Sequence, residues 1–222
     1  MSLPRAPGAV VFDLDGLLID SERLIRDAMI AVGPRFGKPI DLAFFLTLIG
    51  HNRAHNDVEL MRHFGDGFAL EEFHQAVREH VQAEAAAGAA LKAGVIELLD
   101  ALDDADLPRG IATSSSHEWV ERHLTAHALT ARFNAVVARG DYTNAKPHPE
   151  PYLTAARQLG VEPAFCIALE DSYSGVTAAH AAGMMTIMVP DLLAPTDDMR
   201  ERALRIVDTL HDVRDLIEKG RA

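Results

Sequence analysis

Residues 9–12, AVVF, form an apolar run that passes straight into two acidic positions, Asp13 and Asp15, with Gly16 behind them. A short apolar run closed by a turn signal predicts a buried strand. From Ser21 to about Gly88 the pattern changes. SERLIRDAMIAVGPRFG, DLAFFLTLIG, HNRAHNDVELMRHFG and ALEEFHQAVREHVQAEAAAG repeat their apolar positions at helical spacing, which predicts a small helical bundle. From Lys92 onward two patterns alternate. GVIELLDALDDAD, HEWVERHLTAHAL, the segment after PEPY, SGVTAAHAAG and VRDLIEKG read as helices, whereas GIATSSS, FNAVVA, FCIALED and MMTIMVP read as strands. The alternation predicts an α/β fold: a doubly wound parallel sheet, with the helical block inserted after its first strand. The expected division is residues 1–19 and 89–222 for the α/β domain and residues 20–88 for the helical one. Trp119 and the apolar stripe of LIRDAMIAV are assigned to the core.

Composition narrows the classes. With 48% apolar residues among 222, the chain can build a substantial core. A net charge of −12 works against binding to nucleic acid or to an anionic membrane. No run of about 18 apolar residues occurs, so the expectation is a soluble, cytoplasmic protein, a monomer or weak homodimer. Cys166 is the single cysteine, which excludes an intrachain disulfide, and its place in AFCIAL marks it as a buried structural thiol.

In an open parallel sheet, ligands bind beyond the carboxyl ends of the strands. The residues that follow the apolar runs are Asp13 and Asp15, Thr113 to Ser116, and Glu170 with Asp171, while NAKPHPEPY opens the helix after FNAVVA. Carboxylates crowded at one edge raise one another's pKa unless positive charge joins them. Oxygen donors without clustered His or Cys point to a hard divalent cation, Mg²⁺. Lys146, with the hydroxyls of Thr113 and Ser114, supplies the charge and donors that a phosphoryl group requires. Side chains two apart on an extended strand share a face, so Asp13 and Asp15 are expected to reach one volume. There one attacks phosphorus and the other moves the proton.

FDLDG, Thr113 in IATSS, Lys146 in KPHPEPY, and Glu170 with Asp171 in ALEDSYSG resemble, in order, the four motifs of the haloacid dehalogenase superfamily, over nearly the whole chain. The resemblance implies Asp13 as the nucleophile that becomes an aspartyl-phosphate and Asp15 as general acid and base. It implies Thr113 and Lys146 on the transferring phosphoryl group. It also implies Mg²⁺ on Asp13, the backbone carbonyl of Asp15 and Asp171, with Glu170 close by. The helical block matches that superfamily's cap, which closes over the site. Within the superfamily the chain is similar to the branch holding β-phosphoglucomutase and sugar-phosphate phosphatases. LIGHNRAHN is similar to the cap segment that carries a phosphate-binding arginine in the mutase, which makes Arg53 a substrate contact. Where the mutase has a histidine and a lysine, this chain has Ile25 and Ile49, which favours a phosphatase. Asp15 argues against carbon–halogen and carbon–phosphorus cleavage. The expected activity is therefore Mg²⁺-dependent hydrolysis of a small phosphate monoester such as a sugar phosphate. A phosphomutase and a non-catalytic phosphate-binding or regulatory protein are the alternatives.

Ordinary readings exist for each motif. FDLDG alone is compatible with an Asx turn, TSSS and EDS with helix capping, and Lys146 with a solvated loop. Their occurrence in register favours function, although helix entry suffices for Ser115 and Ser116. The pairs His51–His55 and His123–His127 have a spacing that suits zinc but lack a third ligand nearby, and are assigned to the surface or the helical block. His51 and Asn52 join Arg53 as candidate contacts of the site.

Overall fold

The computed structural model describes residues 3–49, 53–84 and 88–219. The chain divides into two compact units, Met1–Ile19 with Ala90–Ala222, and Asp20–Ala89. Strand β1 (Ala9–Phe12) precedes the helical unit, which holds α1 (Ser21–Val32), α2 (Leu42–Leu46), α3 (Arg53–Phe64) and α4 (Leu70–Glu84). Helix α1 ends in a 3-10 turn, Gly33–Phe36, where Pro34 cannot donate to a continuing α-helix. Asp41 starts α2, its carboxylate accepting the Phe44 N–H at 2.8 Å. The interior is aromatic: Phe36 meets Phe73 edge-on with ring centroids 5.4 Å apart, and Phe64 stacks on Phe68 at 4.0 Å. Ala28, Met29 and Val32 of the expected stripe are buried, but Ile25 and Ile30 are exposed. Ile25 lines a cavity of about 310 Å³ within this unit, together with Leu48, Ile49, Leu60 and Phe73.

The remaining chain adds α5 (Val95–Asp104), β2 (Arg109–Ser116), α6 (His117–Ala126), β3 (Ala135–Arg139), α7 (Glu150–Leu159) and β4 (Cys166–Glu170). It closes with α8 (Tyr173–Ala181), β5 (Met185–Met188), α9 (Asp197–Arg202), β6 (Arg205–Ile206) and α10 (Leu210–Lys219). The sheet is parallel throughout, in the order β3-β2-β1-β4-β5-β6. All four residues of β1 are buried, as a central parallel strand covered on both faces requires. Tyr152, Ala155 and Ala156 of α7 pack with Val11, Ala112, Val137 and Ala168 into one apolar cluster. Cys166 is free and buried in the same cluster, where burial pushes its thiol up to about 11 and keeps it neutral.

Register decides where the chemistry falls. Phe12 pairs with Ile111 of β2 and with Leu169 of β4, so Asp13, Thr113 and Glu170 emerge at one edge. The sequence pattern did not show α9 or β6. Six and two residues are too short to establish a period, and α9 is marked by its cap instead, the Thr196 hydroxyl accepting the Met199 N–H at 3.3 Å. Among the described residues, no helix is long and apolar enough to cross a membrane.

Candidate active site

Asp13 extends the ladder by one residue, donating its N–H to the Leu169 carbonyl at 3.0 Å. The chain then turns: the Leu14 carbonyl accepts from Leu18 at 2.9 Å and from Ile19 at 3.1 Å, and Gly16 donates to Ile19 at 2.9 Å. Gly16 has φ +84°, and a side chain there would collide with the Asp171 carboxylate. Lys146 sits in the loop between β3 and α7. Glu150 folds that loop by accepting the N–H groups of Thr143 at 2.9 Å and Asn144 at 3.0 Å.

Lys146 donates to Asp13 Oδ1 at 2.5 Å and to Glu170 Oε1 at 2.6 Å, with only 4% of its side chain exposed. Glu170 is fully buried. It also accepts the Tyr152 hydroxyl at 2.6 Å, the Ser172 hydroxyl at 2.9 Å and the Ser172 N–H at 3.2 Å. The absence of a side chain at Gly175 makes room for the same carboxylate. One oxygen from each of Asp13, Glu170 and Asp171 lies within 4.8 Å of the others, and all three residues are buried. Burial pushes the Asp13 carboxyl up to about 7; Lys146 opposes this, while Glu170 and Asp15 add to it. Burial also works against the Lys146 ammonium, but Asp13 and Glu170 outweigh it and raise its pKa. Burial and the nearby carboxylates raise Tyr152 well above the usual phenol value, so it remains a donor.

The three buried carboxylates have one ammonium among them, bound to Asp13 and Glu170, so two negative charges are in excess when all are ionised. A divalent cation would offset that excess, and an all-oxygen donor set fits Mg²⁺. Asp13, Glu170 and Asp171 form the one such group of candidate ligands among the described residues. The carboxylate of Asp15 is not part of it, so a metal-binding role for Asp15 rests on its backbone carbonyl.

Strand β1 ends at Phe12 and the carboxylates of the two acids of FDLDG take different partners, while the Asp15 charge still acts on Asp13. Asp15 Oδ2 accepts the Ser115 hydroxyl at 2.5 Å, with Thr113 Oγ1 at 3.5 Å, and Asp15 Oδ1 accepts the Trp119 indole N–H at 3.0 Å. This corrects two expectations. Trp119 is half-buried with its polar tip on an acid, rather than a core residue, and Ser115 has a partner in the site. Thr113 is buried and its carbonyl accepts the Tyr142 hydroxyl at 3.0 Å, whereas Ser114 is exposed and its carbonyl accepts from Arg139. Tyr152 was also missed, although its position in KPHPEPY offered a signal. His123 is buried in the α/β unit with its ring 4.2 Å from that of Trp119, which corrects its assignment to the surface or the helical block. In the helical unit, Arg53 pairs with Glu71 at 2.9 Å and Asp57 at 3.6 Å. His51 and Asn52 lie outside the described residues.

Acids and a lysine thus gather at the carboxyl edge of a parallel sheet. Residues 10–189 match the family model described as haloacid dehalogenase-like hydrolase, and the chain belongs to that family. Hexitol phosphatase B of Escherichia coli (strain K12) is 34% identical over 203 residues, covering 89% of this chain and 90% of that protein. A haloacid dehalogenase family hydrolase from Deinococcus radiodurans R1, solved with bound phosphate and sodium, has 26% identity. Its TM-score is 0.80, and the match covers 97% of this chain and 96% of that one. CbbY from Rhodobacter sphaeroides, in complex with phosphate, has 27% identity and a TM-score of 0.76, covering 93% and 96%.

Proposed function

We propose that this chain is a Mg²⁺-dependent phosphatase that hydrolyses a small phosphate monoester, a sugar or sugar-alcohol phosphate, through an aspartyl-phosphate at Asp13. The reading is carried by one observation: Asp13 lies at the carboxyl edge of the sheet, bound by a buried lysine and flanked by Glu170 and Asp171. Asp13, Asp171 and the Asp15 backbone carbonyl, with Glu170 alongside, would hold Mg²⁺, which would offset the negative charge of the site and of a phosphate substrate. Lys146 orients the Asp13 carboxylate and supplies positive charge for the phosphoryl oxygens. Asp13 attacks phosphorus as the ester bond breaks, and Asp15 gives its proton to the departing alkoxide. Water then attacks the aspartyl-phosphate, returns a proton to Asp15 and releases inorganic phosphate. Likeness to hexitol phosphatase B supports a polyhydroxy substrate. Arg53, exposed in the helical unit, is assigned to that part of the molecule.

The test is release of inorganic phosphate from a panel of sugar and sugar-alcohol phosphates, with and without Mg²⁺, for wild type and Asp13→Asn. Release that requires both the metal and Asp13 is expected. A folded wild type that releases nothing in Mg²⁺ overturns the reading. Isomerisation on addition of a sugar bisphosphate, without net release, would establish a mutase instead.

A further inference from the structure

We propose that Trp119 is a positioning residue that fixes the carboxylate of Asp15 for proton transfer, an inference that rests on the phosphatase reading above. The sequence arranges this locally. Strand β2 ends at Ser116, whose hydroxyl accepts the Trp119 N–H at 3.3 Å and so starts α6. That cap places the indole in the first turn of α6, at the end of the sheet where Asp15 lies. The indole N–H reaches Asp15 Oδ1 at 3.0 Å and the Ser115 hydroxyl reaches Oδ2 at 2.5 Å. Each carboxylate oxygen has its own donor, so the group is constrained against rotation about its side-chain torsions. The indole is held in turn by the buried His123, whose ring stands edge-on to it at 4.2 Å with an interplanar angle of 68°.

The two donors differ in kind: the indole N–H can only donate, whereas the Ser115 hydroxyl can rotate to donate or accept, so Oδ1 is held by a fixed donor and Oδ2 by an adaptable one.

The experiment compares kcat/KM for an alkyl phosphate and a 4-nitrophenyl phosphate, in wild type and Trp119→Phe. That ratio covers the steps up to departure of the leaving group, and an alkoxide needs a proton where a nitrophenolate does not. Trp119→Phe keeps an aromatic ring and loses the N–H. It should lower kcat/KM on the alkyl ester by about ten- to a hundredfold and leave the aryl ester nearly unchanged. Equal loss on both esters, or loss on neither, overturns the inference while leaving the phosphatase reading intact. A wild type that cleaves neither ester overturns both. A second measurement needs no turnover: Trp119 is the single tryptophan, so the protein's indole emission reports this contact alone. Asp15→Ala should shift the emission maximum, and an unchanged spectrum overturns the inference even if Trp119→Phe fails to fold.

Discussion

Two charge clusters, one in each unit, are built in opposite ways. In the α/β unit, Lys146 bridges Asp13 and Glu170 almost entirely out of water, and Tyr152 and Ser172 complete the shell around Glu170. In the helical unit, Arg53 meets Glu71 with 58% and 77% of the two side chains exposed, and Asp57 is shared between Arg53 and His74. Buried charges interact strongly and cannot be left unpaired, whereas an exposed pair contributes little and is easily exchanged for another partner. The first arrangement suits a fixed reaction centre. The second costs little to break, which is what the proposed role of Arg53 in recognition would require.

The largest effect that would test this contrast is on turnover. Asp13→Asn should lower kcat by roughly 10⁴-fold or more, measured by phosphate release, because it removes the attacking group itself. Lys146→Met comes next. It leaves buried carboxylates without their cation, and urea unfolding in a chelator should show a loss of about 3–5 kcal/mol. If that variant is no less stable than Arg53→Ala, the contrast between the two clusters fails. Magnesium at about a hundred times its dissociation constant should raise wild-type stability by about 2.7 kcal/mol, and Asp171→Asn should remove most of that gain in a thermal melt. The smallest stability effect belongs to Arg53→Ala, less than about 1 kcal/mol. The same variant should lose far more activity on a sugar phosphate than on 4-nitrophenyl phosphate; an equal loss on both would remove Arg53 from recognition.

Much of the candidate site was legible because parallel strands buried on both faces stand out as apolar runs. AVVF and CIALE announce where the polar residues after them must emerge, and the register through Phe12 then brings Asp13 and Glu170 together. The partners of Asp15 were not legible. A tryptophan on an amphipathic helix reads as core, because periodicity reports where its apolar body lies and not what its N–H tip reaches. Ser115 likewise read as helix entry, while the cap is Ser116. Ile25 shows the same limit in the helical unit. The apolar spacing identified its face, but Ile25 borders a cavity there and is left 38% exposed. The two-residue spacing of FDLDG could not show that the chain turns after Asp13, so that its two carboxylates take different partners.

The most direct test of the account is to find the phosphoryl group on the protein. Wild type mixed with 4-nitrophenyl phosphate in Mg²⁺, quenched in acid during turnover and digested, should yield one phosphorylated peptide, the one containing Asp13, and Asp15→Asn should accumulate more of it because release to water is slowed. Turnover with no phosphorylated peptide, or with the phosphoryl group on any other residue, would contradict the assignment of Asp13 as the nucleophile.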